Sequence, residues 1–253
     1  MKVPNKILVP HIQPGQTFKV IGLGGVGGIV ARYLSVFLRD YPCRLVMIDG
    51  DEFEPGNASR MLFNGLGNKA TVIANELMSN AGDSAGRNMS LLAINSYVNK
   101  NNIKQLIQTG DILIMAVDNH TTRKLVNDYC AKLKTIVLIS GGNDGMEEAD
   151  GKVHRGTYGN VQIYIREKGK DRSPSLVKYH PEIGDPKDKH PDDKSCGDLM
   201  ESVPQILFTN MQVATSILNT VLLYTSGELH YSEVAFDVAD ALMQPVPIPA
   251  PKL

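Results

Sequence analysis

Residues 20–60 read VIGLGGVGGIVARYLSVFLRDYPCRLVMIDGDEFEPGNASR, and this stretch decides the fold. The apolar run Phe18-Lys19-Val20-Ile21 enters Gly22-Leu23-Gly24-Gly25-Val26-Gly27. Beyond the glycines, Ile29, Tyr33 and Phe37 recur every four residues, as do Val30, Leu34 and Leu38. This is the pattern of a strand, a tight glycine turn and an amphipathic helix. A second apolar run, Leu45 to Ile48, ends in Asp49-Gly50-Asp51. A βαβ unit of this kind suits a nucleotide. Glycines let the backbone turn sharply and approach a phosphate, and the helix N-terminus offers N–H groups to an anion. A carboxylate at the end of the second strand is placed to meet ribose hydroxyls. NAD, FAD, S-adenosylmethionine and ATP all fit this pattern, so the rest of the chain must decide among them.

Working outward, the remaining segments keep the same rhythm. Residues 1–16 form an irregular lead-in, with Pro4, Pro10 and Pro14 opposing helix. A polar loop separates Asp51 from Lys69, and a helix is expected from Asn68 to Ser79. Met89–Ile94 reads as a strand and Ile103–Gln108 as a short helix. Asp111–Val117 is almost continuously apolar, as in a parallel strand covered on both faces, and runs into Asp118-Asn119. A helix over Thr121–Lys132, with Thr121 as its cap, leads to a strand over Thr135–Ser140.

The second half reads differently. Val161–Ile165 alternates as an antiparallel strand does, and Leu229–Val238 reads as the last strand. Residues 167–200 are charged and rich in proline, which predicts a mobile crossover loop. Ser202–Tyr224 is apolar nearly all round, as expected of a helix buried in the core or in a dimer interface. Residues 243–253 carry four prolines and are expected to stay outside the sheet ladder. The prediction is one α/β domain over 1–253 with a doubly wound Rossmann-like sheet. The sheet is parallel in the N-terminal half, with antiparallel strands added from the C-terminal half.

Composition narrows the class. A net charge of −1 gives no basic signal for nucleic acid, and no apolar run reaches the length of a membrane span. The N-terminus lacks the apolar core of a signal peptide. The three cysteines, Cys43, Cys130 and Cys196, lie far apart, which points to free thiols and a cytoplasmic, reducing setting. There is no Cys-x-x-Cys pair, so no zinc is expected.

Candidate site residues fall at the carboxyl ends of the predicted strands, where ligands bind in such sheets. They are Gly22, Gly24, Gly25, Gly27, Asp49 and Asp51, then Asn57 and Arg60, and finally Asp118. Asp118 closes an apolar strand beside a phosphate turn. It would either cap the next helix or hold Mg²⁺, which binds through one or two carboxylates plus substrate phosphates. The nearby cations Arg60 and Lys69 suit a triphosphate better than NAD.

These residues in this order resemble the ThiF/MoeB superfamily, the adenylating domain of ubiquitin-activating enzymes. The family pattern stands here as Gly22-Leu23-Gly24-Gly25-Val26-Gly27, Asp49-Gly50-Asp51, Gly56-Asn57-Ala58-Ser59-Arg60-Met61, Lys69, and Asp118-Asn119 with Arg123. Residues 18–145 carry the resemblance. Met61 stands where the family has Gln, and the gap from Arg60 to Lys69 is shorter than usual. The resemblance implies that Asp49 binds the ATP ribose, that Asn57, Arg60 and Lys69 contact phosphates, and that Asp118 holds Mg²⁺. It implies adenylation of the C-terminal carboxylate of a ubiquitin-like protein, a homodimer, and a conjugating-enzyme-like protein downstream. Members often carry a thioester-forming Cys in the crossover loop, which implies that role for Cys196. A small-molecule or tRNA-bound carboxylate is the alternative substrate. An NAD-binding dehydrogenase or a non-catalytic nucleotide sensor is the alternative from another class.

Overall fold

In a computed structural model describing residues 7–59, 61–79, 88–149, 152–193 and 205–249, the opening stretch folds as its pattern requires. Strand β1 (Thr17–Ile21) runs through the glycine turn into helix α1 (Gly27–Leu38), which returns to β2 (Arg44–Ile48). Consecutive buried residues, Val20 and Ile21 in β1 and Leu45 to Ile48 in β2, make these core strands covered on both faces, and Val30, Ala31, Leu34 and Leu38 form the buried face of α1. After β2 the short strands β3 (Glu52–Phe53) and β4 (Gly67–Asn68) pair and close the intervening loop. Then come α2 (Lys69–Ser79), β5 (Ser90–Ile94), α3 (Ile103–Leu106), β6 (Ile112–Met115), α4 (His120–Cys130) and β7 (Ile136–Asn143). A hairpin of β8 (Met146–Ala149) and β9 (Lys152–Arg155) precedes β10 (Tyr158–Glu167). β11 (Lys170–Asp171), α5 (Pro181–Gly184), α6 (Leu207–Thr225), β12 (Tyr231–Asp237) and β13 (Leu242–Pro247) complete the order.

The main sheet runs β13-β12-β10-β7-β6-β1-β2-β5, with β11 paired to β10. From β5 to β7 every pairing is parallel, and β10, β12 and β13 add antiparallel pairings at one side. Successive strands fan out to opposite sides of β1, so a crevice opens between the carboxyl ends of β1 and β6, the usual ligand position in such sheets. Helices cover both faces. α1, α2 and α6 close one core with Val213, Ala214 and Ile217, and α3, α4 and α5 close the other with Ile107, Val126 and Ile183. Most of the apolar surface of α6 is therefore core within one chain. Its first turns leave Leu207, Phe208 and Met211 exposed.

Two expectations are corrected here. The tail is not outside the ladder: Leu242–Pro247 pairs with β12 as the edge strand, with Pro245 opposite Val234 and Pro247 opposite Tyr231. An edge position tolerates proline because one side of the strand has no partner to donate to. The predicted mobile crossover loop is, over 170–193, a packed segment. It buries Leu176 and Ile183 and holds short helical turns at Leu176–Lys178 and Pro191–Asp193. A few buried anchors suffice to dock a chain whose composition is otherwise polar.

Candidate nucleotide site

The glycine turn is a close-packed crossing. Gly22 has φ +84°, a backbone region that side chains disfavour. A Cβ on Gly27 would lie 1.8 Å from the Gly22 carbonyl oxygen. Only glycine lets α1 begin against the end of β1. Val26, at the head of α1, makes no side-chain cap bond, so the helix presents its first turn to the crevice.

Asp49 ties this turn to β2. Its Oδ2 accepts the Leu23 N–H at 2.5 Å and its Oδ1 the Asp51 N–H at 2.7 Å. The side chain is buried, and burial raises its pKa while Lys69 and the two amide bonds oppose the rise. The remaining lone pairs are those available to a ribose hydroxyl. The exposed carboxylate of the pair is Asp51. Its Oδ2 meets Lys69 Nζ at 3.1 Å, and its Oδ1 accepts the Tyr97 hydroxyl. The ring of Tyr97 lies where a side chain on Gly50 would stand, 2.6 Å from a built Cβ. Asn68 completes the knot: its Nδ2 donates to the Asp49 and Asp51 carbonyls at 2.8 and 3.0 Å, and its Oδ1 caps α2 at Thr71 N–H. Tyr97 and Asn68 escaped the sequence reading. An Asn directly before a helical pattern is a cap signal that could have found Asn68, whereas the reach of Tyr97 to Gly50 depends on tertiary structure.

The loop after β3 brings Met61 to the turn, its Cε 3.6 Å from where a Cβ on Gly24 would stand. Asn57 Oδ1 accepts the Glu54 N–H at 3.1 Å. Arg60 and Cys196 lie outside the described residues.

Asp118 stands exposed past the end of β6. It does not cap α4, and neither does Thr121. Asn119 Oδ1 takes the Thr122 N–H at 2.8 Å. Asp188, from the packed crossover segment, takes the His120 and Thr121 N–H groups at 2.6 and 2.9 Å. The Asp118 carboxylate is thus left for another use. Behind it the buried Arg123 guanidinium donates to the Val117 carbonyl at 2.9 Å and the Gly141 carbonyl at 3.3 Å, tying the ends of β6 and β7 together. A Cβ on Gly142 would lie 2.3 Å from Arg123 Nη2. Among the described residues no group of three or more His, Cys, Asp and Glu side chains is gathered as a metal cluster.

A cavity of about 800 Å³ lies instead at the amino ends of the strands, lined by Phe18, Ile112 and Ile165. It is remote from the glycine turn, and ligands of such sheets sit at the opposite ends of the strands.

A profile of the ThiF family matches residues 16–249. The chain belongs to the ThiF family. It is 28% identical over 155 residues to the adenylyltransferase and sulfurtransferase MOCS3 of Drosophila ananassae, which covers 57% of this chain and 30% of that protein. It is 30% identical over 124 residues to the SAMP-activating enzyme E1 of Haloferax volcanii, covering 48% of this chain and 43% of the relative. The chain thus spans less than half the length of these two relatives. The fold is shared with E. coli MccB crystallised with AMPCPP and MccA, at a TM-score of 0.64 and 16% identity over 92% of this chain and 64% of that one.

Gly27→Ala should destabilise the chain by about 1–3 kcal/mol or more, because neither backbone at the crossing can retreat. The urea midpoint reads this directly, and a midpoint equal to that of the unaltered chain would show that the turn has room to spare.

Proposed function

We propose that this ThiF-family chain binds Mg²⁺·ATP at the crevice between β1 and β6 and transfers AMP to a carboxylate, the C-terminal carboxylate of a ubiquitin-like protein. One observation carries the reading. The crevice combines a phosphate-scale glycine turn, a carboxylate knot holding a lysine, and an exposed carboxylate that caps nothing. In the reaction a carboxylate oxygen attacks the α-phosphorus, the bond to the bridging oxygen breaks, and pyrophosphate leaves. Such chemistry is mainly positioning and charge neutralisation.

Each residue then has a role. Gly22, Gly24, Gly25 and Gly27 admit the phosphates, and Asp49 orients the ribose. Asn57, Arg60 and Lys69 contact phosphate oxygens, Lys69 exchanging its bond to Asp51 for one to the nucleotide. Asp118 is the protein ligand for Mg²⁺, which supplies neutralisation of phosphate charge when bound. The name of the Haloferax relative, an activating enzyme for SAMP, favours a protein carboxylate. The solved MccB complex with MccA keeps the second reading, another carboxylate substrate on the same fold, in play. A second copy of the chain is the proposed partner of the exposed Leu207, Phe208 and Met211 on α6. Light scattering that returns the mass of one chain at micromolar concentration would remove the homodimer.

Mg²⁺·ATP at about 100 times its Kd should raise the stability by about 2.7 kcal/mol, whereas NAD should leave it unchanged. Stabilisation by NAD alone defeats the adenylation reading. Asp118→Ala should keep the fold and lower ATP–pyrophosphate exchange by about 10²–10³-fold. Activity within a few-fold of the unaltered chain removes Asp118 from the metal role.

A thioester step at Cys196 is the further part of the proposal. The other two thiols are buried, and burial pushes the pKa of Cys43 up to about 11 and that of Cys130 to about 12, which leaves both poor nucleophiles. Cys196 stands next to Ser195 and near Lys194 in a polar stretch. Cys196→Ala should retain pyrophosphate exchange and lose any DTT-sensitive adduct with the acyl partner. An adduct that persists in this variant assigns the thioester elsewhere.

A further inference from the structure

The crossover segment crosses the carboxyl edge of the sheet and is pinned there at three places. Asp188 caps α4 beside Asp118. His190 Nε2 lies 2.8 Å from the Val98 carbonyl, and Asn99 donates to Asp192 at 2.6 Å, both in the stretch after β5. The third pin is His180. Its Nε2 is 2.7 Å from Oε1 of Glu233 on β12, and its Nδ1 is 3.0 Å from Oε1 of Glu182. Carboxylate oxygens only accept, so a ring that faces one at each nitrogen satisfies both only as the doubly protonated imidazolium. Glu233 is buried, with 7% of its side chain exposed, and His180 is the cation it meets. Neutral His180 would leave one of these contacts unmade and a carboxylate buried without its counter-charge, a costly state.

We propose that His180 is a positioning residue whose imidazolium, clamped between Glu233 and Glu182, holds the crossover segment down so that Asp188 stays on the head of α4 next to Asp118. The charged surroundings are Glu182 on its own element, Glu233 on β12, and His120 and Arg123 on α4, which act on Glu182. β10 contributes Tyr158 and the neutral Asn160, whose Nδ2 lies 3.3 Å from His180 Nε2 and 3.4 Å from Glu233 Oε1, the carboxylate that also faces Nε2 at 2.7 Å, and Asp144 lies near Tyr158. The Glu233 bond raises the His180 pKa above the ordinary imidazole value. The clasp is therefore fully present below that ordinary value, and it is lost as pH rises through the raised one. The inference rests on the proposed nucleotide site for what the clasp serves. Its test needs no nucleotide, so the two fail separately.

Amide hydrogen exchange of the unliganded chain, normalised to intrinsic rates, is followed over residues 176–193 at about pH 6 and about pH 9, on either side of an ordinary imidazole. The expected result is a loss of protection of about tenfold or more at the higher pH, confined to this segment. Glu233→Gln should lower protection at pH 6 and abolish the step, and His190→Gln should retain it. Equal protection of the unaltered chain at both pH values overturns the proposal without recourse to a variant. So does a step that survives in Glu233→Gln, one that vanishes in His190→Gln, or a loss that spreads to the amides of β1 and β6.

Discussion

The Asp49 carboxylate is the constraint on which the rest depends. One side chain accepts the amide at the head of the glycine turn and the amide that begins the loop beyond β2. It therefore fixes the distance between the two ends of the βαβ unit. A carboxylate accepting backbone N–H groups is stronger than a neutral acceptor and stays worthwhile when buried. With that distance set, Gly22 and Gly27 must cross at contact, α1 must start where it does, and Lys69 arrives at the same edge through the Lys69 N–H to Asp51 carbonyl bond of 2.9 Å. The site is thus assembled by backbone amides first and decorated by side chains second.

Much of the parallel half could be read from sequence because its signals are local. Apolar runs flanked by glycine or Asp gave β1, β2 and β6 to within a residue or two, and of the two apolar stripes of α1 Val30, Leu34 and Leu38 are buried, whereas Tyr33 is exposed. The fold class and the antiparallel addition of β10 and β12 followed from the same patterns, and the family from the resemblance carried by the motif residues. What escaped depends on partners distant in the chain. Asp188 caps a helix that begins 68 residues earlier. Nothing near Thr121 announces that its role as cap belongs to Asn119, because both residue types are good caps and only tertiary placement chooses between them. The crossover segment looked free because its composition is polar. It is docked because a few residues, Leu176, Ile183 and His190 among them, find sites on surfaces made by other elements.

Charge around the crevice is arranged in opposed layers. Asp51 meets Lys69 and Asp188 sits on a helix head, while Asp118, Asp188 and Glu182 all lie within the field of Arg123, Asp118 with its carboxylate exposed. The Arg123 guanidinium is bonded to two backbone carbonyls, so its charge reaches Asp118 through space rather than through a hydrogen bond.

The strand at the C-terminal edge has an effect on the whole sheet. Two of its six positions, Pro245 and Pro247, have no N–H to offer. A further strand laid along β13 would meet gaps in the donor row, so the ladder ends there by covalent chemistry rather than by lack of space. Any neighbour that approaches this margin must engage it through side chains such as the exposed Leu242 and Met243, and a continuous sheet running from one molecule into the next is disfavoured.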